Sequence, residues 1–172
     1  GFEKDVIEKI KNDKPEIIKN IVVIWLGGQP HHLQRAHEFN LQQDLYASRV
    51  LFDCGVPLLQ IPCQGVASHL ITTTSELDLY LSKKGEIGDY LIDIFKNYAN
   101  NPFGWSKVIW DISAPAWLIN PDWVSSSYVH SPILTDQLKY VIDPNRHTIR
   151  VANKVDRDAI FADLFRKIEN HS

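Results

Sequence analysis

The chain contains no methionine, and its only cysteines are Cys54 and Cys63. Two thiols are too few for a disulfide framework, and their spacing fits no zinc motif, so both are expected as reduced, partly buried residues. No apolar run approaches the ~18 residues that a membrane-crossing helix needs. The start, Gly1-Phe2-Glu3-Lys4-Asp5, has none of the pattern of a secretory signal, which favours the cytoplasm. There is no excess of positive charge either: the net charge is −3 and no polybasic run occurs. Nucleic acid is thereby excluded as the expected partner, and a membrane likewise. Internal repeats and low-complexity linkers are absent. What remains is 172 residues, 44% apolar and 23% charged, enough for one domain with a sizeable core.

Val6, Ile7 and Ile10 form a short helical stripe over 5–11, broken at Asn12-Asp13-Lys14-Pro15. Pro15 can open another helical turn through Ile18. Ile21 to Leu26 is a β-branched apolar run ended by Gly27-Gly28, the pattern of a parallel strand buried on both faces. Leu41 to Phe52 reads as one amphipathic helix with Asn40 as its N-cap and Gly55 beyond its end. Val56 to Ile61 follows as a second buried strand, which completes a right-handed βαβ unit. Thr74-Ser75-Glu76 opens a helix that Gly85 ends, and Ile87 to Tyr98 repeats its apolar residues with a period of 3.6. A short helix is expected over Asp111 to Ile119, around Pro115. Ser125–Val129, Leu138–Ile142 and Thr148–Val151 read as short antiparallel strands. Asp156 then caps a last helix that carries Ile160, Phe161, Leu164, Phe165 and Ile168 on one face. The fold class is α/β: part of a mostly parallel open sheet with flanking helices and a small antiparallel C-terminal tail.

Two segments can carry chemistry. Gly27-Gly28 lies at the carboxyl end of a parallel strand, the edge where open α/β sheets bind ligands. The loop that follows holds His31, His32 and His37, but no pair of them has metal-ligand spacing, so no zinc site is expected. Glu38 and Asn40 stand two apart before a helix. Either they grip neighbouring hydroxyls of a sugar, as acceptor and as donor and acceptor, or they serve the helix start. Asp111 follows the apolar pair Val108-Ile109 and Trp110. Its carboxylate can ligate a hard cation or cap the helix, and Trp110 can stack on a ligand or fill the core.

In order along the chain, these features resemble the C-terminal half of the inosine-uridine-preferring nucleoside hydrolases. The strand, the Gly-Gly turn, Glu38-Phe39-Asn40, Asp44 in the following helix and Gly55-Val56-Pro57-Leu58 match that family's succession. So do Asp111, Ala114, Leu118-Ile119-Asn120-Pro121 and the strand-and-helix ending from Val151 to Ile168. The resemblance implies that residues 1–172 are the C-terminal portion of a single nucleoside hydrolase-like domain. It implies Ca²⁺-dependent hydrolysis of the N-glycosidic bond of ribonucleosides, or of related glycosides, by the intact protein. Asp111 becomes a metal ligand, Glu38 and Asn40 ribose contacts, and Trp110 a substrate contact; no catalytic acid or base is assigned. The family's Asp-rich loop (Asp-x-Asp-x-Gly-x-Asp-Asp) is absent from these residues, so the partners implied are a small nucleoside or glycoside and the missing N-terminal half, with room for a homo-oligomer. The fragment alone is expected to be inactive. Trp110 stands where the family often has a histidine that protonates the leaving base, and indole cannot do that. The rival expectation is a non-catalytic sugar- or nucleoside-binding member of the same fold.

Overall fold

The structure is a computed structural model, which describes residues 5, 8–9, 12–101 and 103–170. The apolar stripe of Val6, Ile7 and Ile10 lies outside the described residues. Strand β1 (Val23–Leu26) pairs in parallel with β2 (Leu58–Ile61), from Val23 opposite Leu58 to Leu26 opposite Ile61. Strand β8 (Thr148–Val155) is parallel to β2 and antiparallel to β5 (Val124–His130), giving a four-stranded sheet in the order β1-β2-β8-β5. Strands β3 (Ile71–Thr73) and β4 (Ser106–Val108) form one antiparallel pair, and β6 (Ile133–Leu134) and β7 (Tyr140–Val141) another. The expected α/β class is thus the observed one. The antiparallel tail is not separate from it, because β8 stitches β5 onto the parallel sheet.

Alternation along each strand separates two cores. Val23 and Trp25 of β1 and Leu58 of β2 face a cluster with Leu41, Leu51, Phe52 and Tyr140. Ile24, Leu26, Leu59 and Ile61 face the opposite side. Helices α1 (Phe39–Gln43) and α2 (Leu45–Asp53) cover the first face. Helices α3 (Thr74–Leu81), α4 (Gly85–Tyr98), α5 (Ser113–Ile119) and α6 (Arg157–Asn170) contribute to the second. Phe52 is fully buried, with its ring edge-on to Trp25 at 5.7 Å and to Tyr140 at 6.0 Å between centroids. A phenylalanine buried this way stabilises the fold by about 1.5–3 kcal/mol.

Four local expectations change. The helix read over Leu41 to Phe52 is two helices, because Asp44 leaves helical geometry (φ −144°, ψ 88°) and its carboxylate accepts the Ala47 N–H to start α2. Glu38, not Asn40, is the N-cap of α1. Gly85 opens α4 instead of ending α3, at the far side of a turn in which Asp89 accepts the Lys83 N–H. Strand β1 is not buried on both faces: Val23, Ile24 and Trp25 are half-buried, because among the described residues β1 is the edge of the sheet.

Candidate active site

The chain leaves β1 through Gly27-Gly28, and Gly28 has φ +71°. A side chain there is excluded twice over, by the backbone and by space: a Cβ would lie 2.3 Å from the Tyr140 hydroxyl and 2.8 Å from Gln60 Nε2. Behind the turn stands a buried polar network. Gln60, fully buried in β2, donates from Nε2 to the Gly27 carbonyl (2.9 Å) and to the Tyr140 hydroxyl (3.2 Å). Its Oε1 lies 2.8 Å from His31 Nε2. With the amide fixed in that sense, His31 donates from Nε2. Burial holds His31 below its ordinary pKa, only partly offset by the Gln60 bond, and burial pushes the Tyr140 phenol up to about 12.

Glu38 and Asn40 are clamped to this turn. Glu38 Oε2 accepts the Gly28 N–H at 2.8 Å and the Leu41 N–H at 3.1 Å; Oε1 accepts the Asn40 N–H at 3.0 Å. The Cys63 thiol is a further donor to this carboxylate, so its roughly four acceptor positions are all engaged. Asn40 Nδ2 donates to the Leu26 carbonyl at 3.0 Å, and its Oδ1 takes no hydrogen bond from the described residues. The pair builds the helix start, and Asn40 Oδ1 stays open as an acceptor.

Trp110 and Asp111 arrive from the other side of the strand end. Strand β4 runs antiparallel to β3, the Ile109 N–H donates to the Leu70 carbonyl (2.8 Å), and one 3₁₀ turn, Trp110–Ile112, leads into α5. Ser113 Oγ closes that turn on the Trp110 carbonyl. The Asp111 carboxylate caps nothing: it is exposed and takes no hydrogen bond from the described residues, while the residue's carbonyl accepts the Ser113 N–H. Trp110 is half-buried and packs against the core as well as facing outward.

The structure brings Glu38, Asn40, Trp110 and Asp111 to one open cleft of about 650 Å³ at the carboxyl ends of β1 and β2. Gln29, Phe39, Cys63, Gln64, Ser68, Tyr98 and Lys107, none of them given a role from sequence, share its wall. Cys63 is held firmly as a thiol by burial and by the nearby Glu38 and Asp111 carboxylates, so it is no nucleophile. An adjoining groove of about 500 Å³ shares Leu26, Asn40 and Asp111 and continues past Ile24 and Trp25 of β1. His31 turns into the polar network and His32 lines other surface, so the loop histidines stay out of this cleft.

A divalent-cation site asks more than these residues offer. Ca²⁺ takes six to eight oxygens. Among the described residues no three His, Cys, Asp or Glu side chains gather to hold a metal, and only Asp111 brings an unengaged carboxylate to the cleft. The residues present do not by themselves fit the ion.

No protein-family model and no curated protein sequence matches the chain. Solved structures do. The inosine-uridine-preferring nucleoside hydrolase from Bacillus anthracis superposes with a TM-score of 0.73 at 16% identity, over 98% of this chain and 57% of that one. An inosine-guanosine nucleoside hydrolase gives 0.73 at 16% identity, over 96% and 58%. A purine-preferring ribonucleoside hydrolase from Gardnerella vaginalis gives 0.70 at 17% identity, over 96% and 64%. The chain thus has the fold of the nucleoside hydrolases and spans less than two thirds of the length of these proteins.

Proposed function

We propose that this chain is the C-terminal portion of a nucleoside hydrolase, whose intact form cleaves the N-glycosidic bond of ribonucleosides. The observation that carries the reading is the convergence of Glu38, Asn40, Trp110 and Asp111 on one cleft at the carboxyl edge of a parallel sheet, in a chain with the nucleoside hydrolase fold. The free Oδ1 of Asn40 suits a hydroxyl of a ribose, and the Glu38 carboxylate lines the same cleft beside it. Trp110 offers a face for stacking. Bond cleavage at the anomeric carbon passes through an oxocarbenium-like state, and the Asp111 carboxylate, unscreened by any hydrogen bond, favours the positive charge that develops there. In the intact protein Asp111 would also be one of several ligands to a Ca²⁺ ion, the others coming from beyond these residues.

The test is release of ribose from inosine and uridine by the full-length protein, with and without Asp111→Asn. Release that the substitution abolishes supports the reading. Saturable nucleoside binding with no release favours the non-catalytic alternative, in which the same cleft only holds the ligand.

A further inference from the structure

Lys107 sits at the aromatic end of the cleft. Its Nζ lies 3.4 Å from the centre of the Tyr98 ring, and Tyr98 is stacked in turn on Trp105 at 6.0 Å. Lys107 and Tyr98 line the cleft together with Phe39, Trp110 and Asp111. The lysine is half-buried and pairs with no carboxylate among the described residues, unlike Lys84, which pairs with Glu169, and Lys96, which pairs with Asp78. A cation held over a ring without an anion partner keeps its charge available to a ligand.

The proposed reaction needs such a charge. When the bond from C1′ to the base nitrogen breaks, its electron pair leaves with the base, and a purine departs readily only if that charge is neutralised. Apart from the Tyr98 phenol, whose ring lies beneath the ammonium, no other group of the cleft serves. The Trp110 indole N–H is not an acid, Cys63 is held as a thiol by its surroundings, Asp111 is a bare carboxylate and Glu38 is bound to three backbone N–H groups.

We propose that Lys107 is the leaving-group acid of this site, with the base lodged among Phe39, Tyr98 and Trp110. This rests on the hydrolase reading. The ammonium hydrogen-bonds the departing base and gives it a proton as the C1′–N bond breaks. Water adds its oxygen to C1′ and releases one proton to solvent, from which the neutral lysine is recharged. The sum is nucleoside plus water to ribose plus free base.

The experiment compares two substrates of the full-length protein: inosine, whose base must be neutralised to leave, and p-nitrophenyl β-D-ribofuranoside, whose phenolate departs unassisted. Lys107→Met keeps the stem and removes the charge. It is expected to lower kcat/KM for inosine by about a hundredfold and to leave the phenyl riboside within about threefold, with Lys107→Arg recovering part of the loss. An equal loss on both substrates means that Lys107 only shapes the cleft, and no loss on either means that another group does the work; each overturns the assignment. Turnover of neither substrate by the unsubstituted protein overturns the hydrolase reading itself, and the assignment with it. Thermal unfolding of each variant separates these outcomes from loss of fold.

Discussion

One oxygen of Glu38 accepts the N–H of Gly28 at the end of β1 and the N–H of Leu41 in the first turn of α1, so a single carboxylate joins strand exit to helix start. Asp111, across the same cleft, joins nothing. The two acids should therefore part company when neutralised. Glu38→Gln replaces one acceptor oxygen by a donor that faces backbone donors, and should cost ~1.5–3 kcal/mol in urea unfolding, the usual worth of a hydrogen bond to a charged group. Asp111→Asn should stay within about 0.5 kcal/mol of the unsubstituted chain, as exposed and unbonded positions do. Comparable losses for both would show that Asp111 has a structural partner.

Trp110 divides its surface between core and cleft. If it stacks on substrate, Trp110→Phe keeps most of the effect, and Trp110→Ala forfeits about 1 kcal/mol of aromatic contact, roughly a fivefold drop in kcat/KM. Kinetics of the full-length variants, corrected for the folded fraction, decide it. A sharp fall in unfolding temperature for the alanine variant with unchanged activity of the folded remainder makes the residue structural only.

His31 links stability to pH. Its folded pKa is held below the ordinary 6.5 by burial. The unfolded chain therefore takes up a proton first as pH falls, so the contribution from neutral His31 is complete above pH 6.5 and is lost as pH drops through the lower folded value. His147 is shifted the same way, by burial and then by Arg146, and adds to the slope. Unfolding temperatures between pH 7.5 and 5 should decline, and His31→Gln, which can still donate to Gln60, should flatten the decline. An unaltered slope in that variant would remove His31 from the account.

Calcium gives a further test. With Asp111 as the lone unengaged carboxylate of the cleft, the 172-residue chain by itself should bind Ca²⁺ too weakly to saturate in calorimetry at micromolar concentrations. Tight binding of one ion per chain would contradict that, and would mean that the donors are already here.

The elements with strong periodicity were legible: α4 from its spacing of 3.6, α6 from Asp156 and its apolar face, β2 from a run that is apolar but for Gln60. Glu38, Asn40 and Asp111 could be singled out because each stands next to a strand end or helix start. Their division of labour could not, since one carboxylate caps and the other does not, and only the backbone path decides which. Asp44 was read as a helical residue because the apolar period runs through it, while its capping bond belongs to a break that periodicity cannot register. Lys107 and Tyr98 meet from two elements nine residues apart in sequence, across a β-strand and a helix end, and no local pattern announces that. The polar network of Gln60, Tyr140 and His31 is longer-ranged still.

The ladder between β1 and β2 uses the Val23 and Gly27 N–H groups, which donate to Pro57 and Ile61, so alternation turns the amides of Ile24 and Leu26 the other way. Asn40 occupies the Leu26 carbonyl; Ile24 has no such cover among the described residues. A half-buried, apolar edge strand with unspent backbone donors and acceptors is a template for another strand. For anyone producing this chain alone, the outcome is colloidal: material that self-associates through β1 as its concentration rises, and that a charged residue at the exposed Val22, just before the strand, should keep dispersed.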